Sequence, residues 1–145
     1  MGKKKIITKE EGGATSDAKK DPVVTKGSKK KVTSGTLHVE ATFNNTKVVL
    51  SDQKGNTLAW SSAGSLGFRG AKKGTPFAAS KVAEVLAEKA TNFGIKDVNV
   101  VVKGVGSGRE STIRSFMGHG FDVTGIEDIT PVPHNGVKAK KPRRV

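Results

Sequence analysis

Two glycine-rich stretches hold the residue types best suited to chemistry in this chain. The first, residues 63–74, sets Gly64, Gly67, Gly70 and Gly74 among Arg69, Lys72 and Lys73. Glycine removes side-chain bulk, so a backbone can approach an anion closely. Lys supplies charge, and Arg adds a fork of donors that matches phosphate oxygens. This stretch runs into Thr75-Pro76, a helix start, and helix N-termini attract anions. The second is Gly104-Val105-Gly106-Ser107-Gly108-Arg109. It follows an apolar run and opens a helical pattern, as a dinucleotide fingerprint does. Its third glycine comes one position early, however, and Arg109 stands in its place. A phosphate-binding turn beside Arg109 fits this spacing better than a nucleotide pocket. Glycine content alone would suit a plain surface loop equally well. Three cations in an otherwise charge-balanced region decide for a polyanion at the first stretch.

Other chemistries find little support. Cysteine is absent, which excludes disulfides, thiolate metal sites and cysteine nucleophiles. No G-x-x-x-x-G-K-[ST] run occurs, so a P-loop is excluded on pattern. His38, His119 and His134 are scattered without ligand spacing. His38 and Glu40 share one strand face, which could serve acid–base transfer but better suits an exposed cross-face pairing. Asp52, Asp97, Glu110 and Asp122 fall at turns or element edges, whereas a metal-dependent nuclease needs convergent carboxylates. The expectation is a non-enzyme with no cofactor and no metal. A nuclease is kept as the alternative, separable by incubation with labelled RNA and a divalent metal.

The charge is concentrated at the two ends. The chain has 145 residues, with 26 Lys and Arg against 13 Asp and Glu, for a net +13. Residues 1–31 carry +6 and residues 137–145 carry +5, leaving +2 on the 105 residues between. Cationic tails on a near-neutral domain bind nucleic acid by releasing counterions. Pro131-Val132-Pro133-His134-Asn135-Gly136 gives a stiff spacer and then a turn. It would launch Lys138, Lys140, Lys141, Arg143 and Arg144 away from the domain. Tyr is absent and Trp occurs once, so base stacking across a sheet is not expected, and recognition should run through backbone, shape and loops. There is no apolar run of about 18 residues, and the apolar pair Ile6-Ile7 is too short for a signal-peptide core. The expected setting is cytoplasmic.

Periodicity gives the elements that must position these loops. Leu37, Val39, Ala41 and Phe43 alternate with polar residues in a half-buried strand beginning at Thr36. Asn44-Asn45 turns the chain into a second strand over residues 47–51. Lys54-Gly55-Asn56 turns it again into a third over residues 57–62, which contains Trp60. Thr75 caps a helix whose stripe is Ala79, Val82, Ala83, Leu86, Ala90 and Phe93, ended by Gly94. The apolar run at residues 98–102 reads as a central strand buried on both faces. Ser107 and Glu110 match a capping box for a second helix through Met117, with Ile113, Phe116 and Met117 inward. A last strand spans residues 121–129, bulged at Gly125. The order β-β-β-α-β-α-β predicts an α/β domain over residues 32–130. An N-terminal extension over residues 1–31 and a basic tail over residues 131–145 flank it, both without packed structure when free.

Several of these segments together resemble one known family. They are Ala41-Thr42-Phe43-Asn44-Asn45-Thr46, Gly67-Phe68-Arg69-Gly70, Thr75-Pro76-Phe77-Ala78-Ala79, Gly106-Ser107-Gly108-Arg109-Glu110-Ser111 and the run from Asp128 to Gly136. In this order, from about Thr33 to the C-terminus, the chain is similar to ribosomal protein S-eleven of the small subunit, in its bacterial or organellar form. The resemblance implies a three-layer α/β/α fold of ribonuclease-H-like topology, with a mixed five-stranded sheet and without that enzyme's activity. It implies binding to small-subunit rRNA at the platform, near the exit site and the Shine–Dalgarno duplex. The implied neighbours are ribosomal proteins S-seven, S-eighteen and, in bacteria, S-twenty-one. Carried over by position, the rRNA contacts are Asn44, Asn45, Arg69, Lys72, Lys73, Arg109, His134, Asn135 and the tail cations Lys138, Lys140, Lys141, Arg143 and Arg144. The sequence departs from the family pattern in its longer, more acidic N-terminal extension, in Val137, and in Lys138-Ala139-Lys140-Lys141-Pro142.

Overall fold

Alternation of apolar and polar residues builds one mixed sheet. The computed structural model describes residues 31–142 and residue 144. Its strands are β1 (Ser34–Ala41), β2 (Thr46–Asp52), β3 (Thr57–Ser62), β4 (Asp97–Lys103) and β5 (Asp122–Asp128). Its helices are α1 (Pro76–Phe93) and α2 (Gly108–Gly118), with a 3-10 helix over Gly70–Gly74 inside the first glycine-rich loop. The strand order is β3-β2-β1-β4-β5. β1 pairs antiparallel with β2 and parallel with β4, and β5 runs parallel to β4. The hairpin turns permit the antiparallel half, and the helical connections permit the parallel half.

Register puts the apolar residues of adjacent strands on one face. Leu37 lies between Leu50 and Val100, and Val39 between Val48 and Val102, all of them buried. α1 lays Ala79, Val82, Ala83, Leu86 and Ala90 on this face, and α2 adds Phe116 to the same core. Full burial of each large aliphatic side chain contributes about 1.5–3 kcal/mol. Phe116 stacks on Phe121 at 4.4 Å between ring centroids, closing the core beneath α2. Gly108 lets α1 approach, since a Cβ there would lie 2.9 Å from that of Ala79.

Several expectations change in the folded chain. Both helices share the inward face, and among the described residues no third layer covers the other. That open face carries Thr36, His38 and Glu40 of β1 and the exposed Trp60 of β3. The β4 run is therefore buried on one face only: Val98, Val100 and Val102 are inside, while Asn99 and Val101 are half-buried. β4 is an interior strand all the same, lying between β1 and β5. Phe43 continues the alternation of β1 in sequence, but the strand stops at Ala41 and Phe43 is 77% exposed. The capping box of α2 does not form. Ser107 has helical backbone angles, and its hydroxyl donates to the Gly74 carbonyl at 2.8 Å instead. In α2, Met117 faces outward and Thr112 takes the buried place, donating to the Gly108 carbonyl at 2.7 Å. The β5 irregularity falls at Thr124, the extra residue between partners Val123 and Gly125. The N-terminal extension lies outside the described residues except for Lys31.

α1 begins and ends as its sequence requires. Thr75 accepts from the Ala78 N–H at 3.3 Å, Pro76 takes the first helical position, and Gly94 closes the helix at φ 79°.

Candidate nucleic-acid interface

The sheet topology brings the scattered site residues to one end. Ala41 of β1 faces Thr46, the first residue of β2, and Lys47 faces Ser62, the last of β3. Glu40 faces Lys103 at the end of β4, and Val102 faces Asp128 at the end of β5. The β1–β2 turn, both glycine-rich loops and the C-terminal tail therefore all leave the same edge. This is the carboxyl end of β1, β4 and β5, where open α/β sheets bind ligands beside a reversal in strand order.

Glycines let the loops close on one another. A Cβ at Gly74 would stand 2.1 Å from the Phe43 carbonyl oxygen, and one at Gly106 would stand 2.3 Å from that of Thr42. The Gly106 N–H donates to the Ala41 carbonyl at 2.9 Å. Inside the β1–β2 turn, the Thr42 hydroxyl donates to the Asn45 carbonyl and accepts from the Asn45 N–H, at 3.0 and 3.1 Å. The turn thus holds Asn44 fully outward and Asn45 half-buried. The buried side-chain oxygens Asn45 Oδ1 and Thr46 Oγ1 have no hydrogen-bond partner among the described residues.

The cations divide into free and committed. Arg69 and Lys72 are exposed and Lys73 is half-buried; none of the three takes part in an ion pair among the described residues. The 3-10 helix presents Lys72 and Lys73 together, just before α1 starts. Arg109 is committed. Its guanidinium donates to the Gly104 carbonyl and to the Asp128 carboxylate, fastening the second glycine loop to the end of β5. Hydrogen bonds from the Thr130 hydroxyl and from Arg109, then from the Thr130 N–H, hold the Asp128 carboxyl down at about 2. Lys47 likewise lowers Glu40 through a 2.8 Å pair. Arg109 therefore shapes the turn as a clamp, with fewer donors left for phosphate than its position in the sequence suggested.

The tail runs exposed from Pro131 to Pro142. Asn135 adopts φ 59°, the left-handed turn expected for Asn-Gly, and His134 is exposed beside it. Lys138, Lys140, Lys141 and Arg144 are exposed, while Arg143 lies outside the described residues.

Two aromatic residues at this end went unrecognised in the sequence. Phe43 on the turn and Phe77 in the first turn of α1 are 77% and 63% exposed. Phe77 packs edge-on against Phe68 at 6.2 Å and has the Lys81 ammonium 5.9 Å from its centroid. Exposed rings among cations are stacking platforms for unpaired bases. For Phe77 the available signal was its place directly after Thr75-Pro76, where a first-turn residue is only partly covered.

Among the described residues no three His, Asp or Glu side chains gather as a metal ion would require. None of the described helices is long and apolar enough to cross a membrane. The geometry is that of a rigid mount for cationic loops and a cationic tail, suited to a folded polyanion. Comparison with known families gives a match to Ribosomal protein S11 over residues 35–144, well over half of the chain and inclusive of every loop described above. That family is a structural, non-catalytic one of the small ribosomal subunit, binding rRNA within the ribonucleoprotein that carries out translation. The chain belongs to the ribosomal protein S11 family.

Proposed function

We propose that the carboxyl end of the sheet grips rRNA at the small-subunit platform, near the exit site and the Shine–Dalgarno region of the messenger path. The convergence of the two glycine-rich loops, the cationic tail and the asparagine turn on that one end carries this reading. Arg69, Lys72 and Lys73 neutralise phosphates, Asn44 and Asn45 offer amide groups at the turn, and Arg109 holds its loop in shape. His134, Asn135, Lys138, Lys140, Lys141, Arg143 and Arg144 follow an RNA crevice outward from the domain. Neutralising several phosphates at once lets neighbouring rRNA helices pack together. Ribosomal proteins S-seven, S-eighteen and S-twenty-one are the neighbours that fit this place, in the cytoplasm. The strand order fits a ribonuclease-H-like topology put to structural use.

The natural absence of cysteine makes directed probing direct. Single-cysteine variants Ala71→Cys, Ala139→Cys and Asn56→Cys of the full chain, each carrying a tethered iron chelate, are bound to small-subunit rRNA. Strand scission from positions 71 and 139 is expected within one compact rRNA region. Position 56, at the opposite end of the sheet, should cut weakly. Equal cutting from position 56 overturns the assignment of this end.

A further inference from the structure

One edge of the molecule has the opposite character from the rest. β5 is an edge strand, paired only with β4, and no described residue pairs with its outer side. Natural sheets blunt such edges with charged side chains, Pro or bulges; β5 has the Thr124 bulge and three acidic residues, but no Lys or Pro. Its helix-side face continues a shallow apolar groove formed by Ile113 and Met117 of α2 and Ile126 of β5. Met117 and Ile126 are 49% and 59% exposed.

The other face of the same edge is acidic. Asp97 and Asp122 are register neighbours on β4 and β5, and Glu127 follows on the same side. None of the three has an ion-pair partner among the described residues, in a chain with twice as many basic as acidic side chains. Arg109 is committed to Asp128, and Arg114 shares the groove rim with Glu110. The three carboxylates without ion-pair partners disfavour phosphate, and so RNA, on this acidic face. The edge also repels a second β5, which disfavours β5-to-β5 pairing of two copies. What it accepts is a strand with apolar side chains on one face and Lys or Arg on the other.

We infer that the β5 edge docks an extended, basic segment of a second protein, added as a sixth strand with its apolar residues over Ile126 and Met117 and its cations over Asp97, Asp122 and Glu127. Backbone hydrogen bonds would supply affinity, and the alternating side chains would supply register. The bulge at Thr124 divides the available edge into Asp122–Val123 and Gly125–Asp128. The proposal rests on the ribosomal assignment only for where the partner is sought.

The test uses the full chain assembled into small subunits, with Ile126→p-benzoylphenylalanine as a photocrosslinker. The expected product joins position 126 to a segment of another ribosomal protein in which Lys or Arg alternates with apolar residues. A crosslink to rRNA, to residues 1–31 of this same chain or to a second copy, or no crosslink, overturns the proposal. Charge reversal by Asp122→Lys with Glu127→Lys is the second arm. Occupancy of the crosslinked partner in assembled subunits should fall at least about tenfold, while affinity of the free chain for rRNA stays equal or rises. Unchanged occupancy overturns the proposal. Loss of rRNA affinity in the unaltered chain would instead sink the assignment of the cationic end, a separate failure.

Discussion

Arg69 and Arg109 look alike in sequence, each beside glycines, but the fold gives them different work. Arg69 is exposed and unpaired among the described residues, whereas Arg109 ties the Gly104 carbonyl to Asp128. Arg69→Ala should lower the salt slope of rRNA binding by about 0.7–0.9, one phosphate contact, and leave the melting temperature in place. Arg109→Ala should lower the melting temperature as well as the affinity, because the loop is no longer fastened. Filter binding at several salt concentrations, with thermal melts of the free proteins, separates the two. The clamp also has a pH signature. Asp128 is held below its ordinary 3.8, down to about 2, so its stabilising effect is fully present above pH ~4 and is lost as pH falls through about 2. A carboxyl NMR titration should give Asp128 a midpoint near 2. In Arg109→Ala the midpoint should rise yet stay below 3.8, because the Thr130 hydrogen bonds remain. A midpoint at the ordinary carboxylate value in the unaltered chain would mean that the clamp is open in solution.

At the scale of elements, glycine separates two kinds of position. Gly106 is packed so closely on Thr42 that an added Cβ would meet its carbonyl oxygen at 2.3 Å, whereas Gly118 ends α2 with nothing within 4 Å. Gly106→Ala should therefore destabilise by about 1–3 kcal/mol. Gly118→Ala should stabilise by about 0.4–1 kcal/mol, by reducing the freedom of the unfolded chain. Denaturant melts check both, and a neutral Gly106→Ala would show that the loops are not in contact. The same contrast explains what sequence could reveal. Signals read within a few residues came through: the third strand coincides with β3, Thr75-Pro76 starts α1, Gly94 ends it, and Asn135 turns left-handed. Signals that depend on a distant partner did not. Ser107 met the local pattern of a capping box, yet its hydroxyl went to Gly74, 33 residues away. Phe43 kept the strand alternation, but the tight turn closed by Thr42 and Asn45 ended β1 before it. Arg109 and Asp128 are 19 residues apart, and only the parallel β4–β5 pairing makes them neighbours. The candidate residues were legible one by one from their types, while their convergence on one end needed the strand order.

For the whole molecule, charge and rigidity are divided between parts. The sheet and helices bury one apolar face and keep the region from residue 32 to residue 136 near charge balance, at +2. The last nine residues alone carry +5 and are exposed wherever they are described. A rigid mount fixes where the tail departs, next to the Arg109–Asp128 clamp and the Thr130 hydroxyl that accepts from the Gly104 N–H at 3.1 Å. Deleting residues 138–145 removes five cations, and every described residue among them is exposed. Stability of the free protein should therefore hold within about 0.5 kcal/mol, as for surface changes away from special features. Binding should respond in the opposite way. If all five cations contact phosphates, the salt slope falls by about 3.5–4.5, and the deficit in affinity is largest at low salt and shrinks as salt rises. Competition binding of full-length and shortened chains to small-subunit rRNA, from low to physiological salt, measures both slope and offset. A slope that does not change on deletion would place the tail in solvent, and the grip on RNA would then belong to the loops at the sheet end alone.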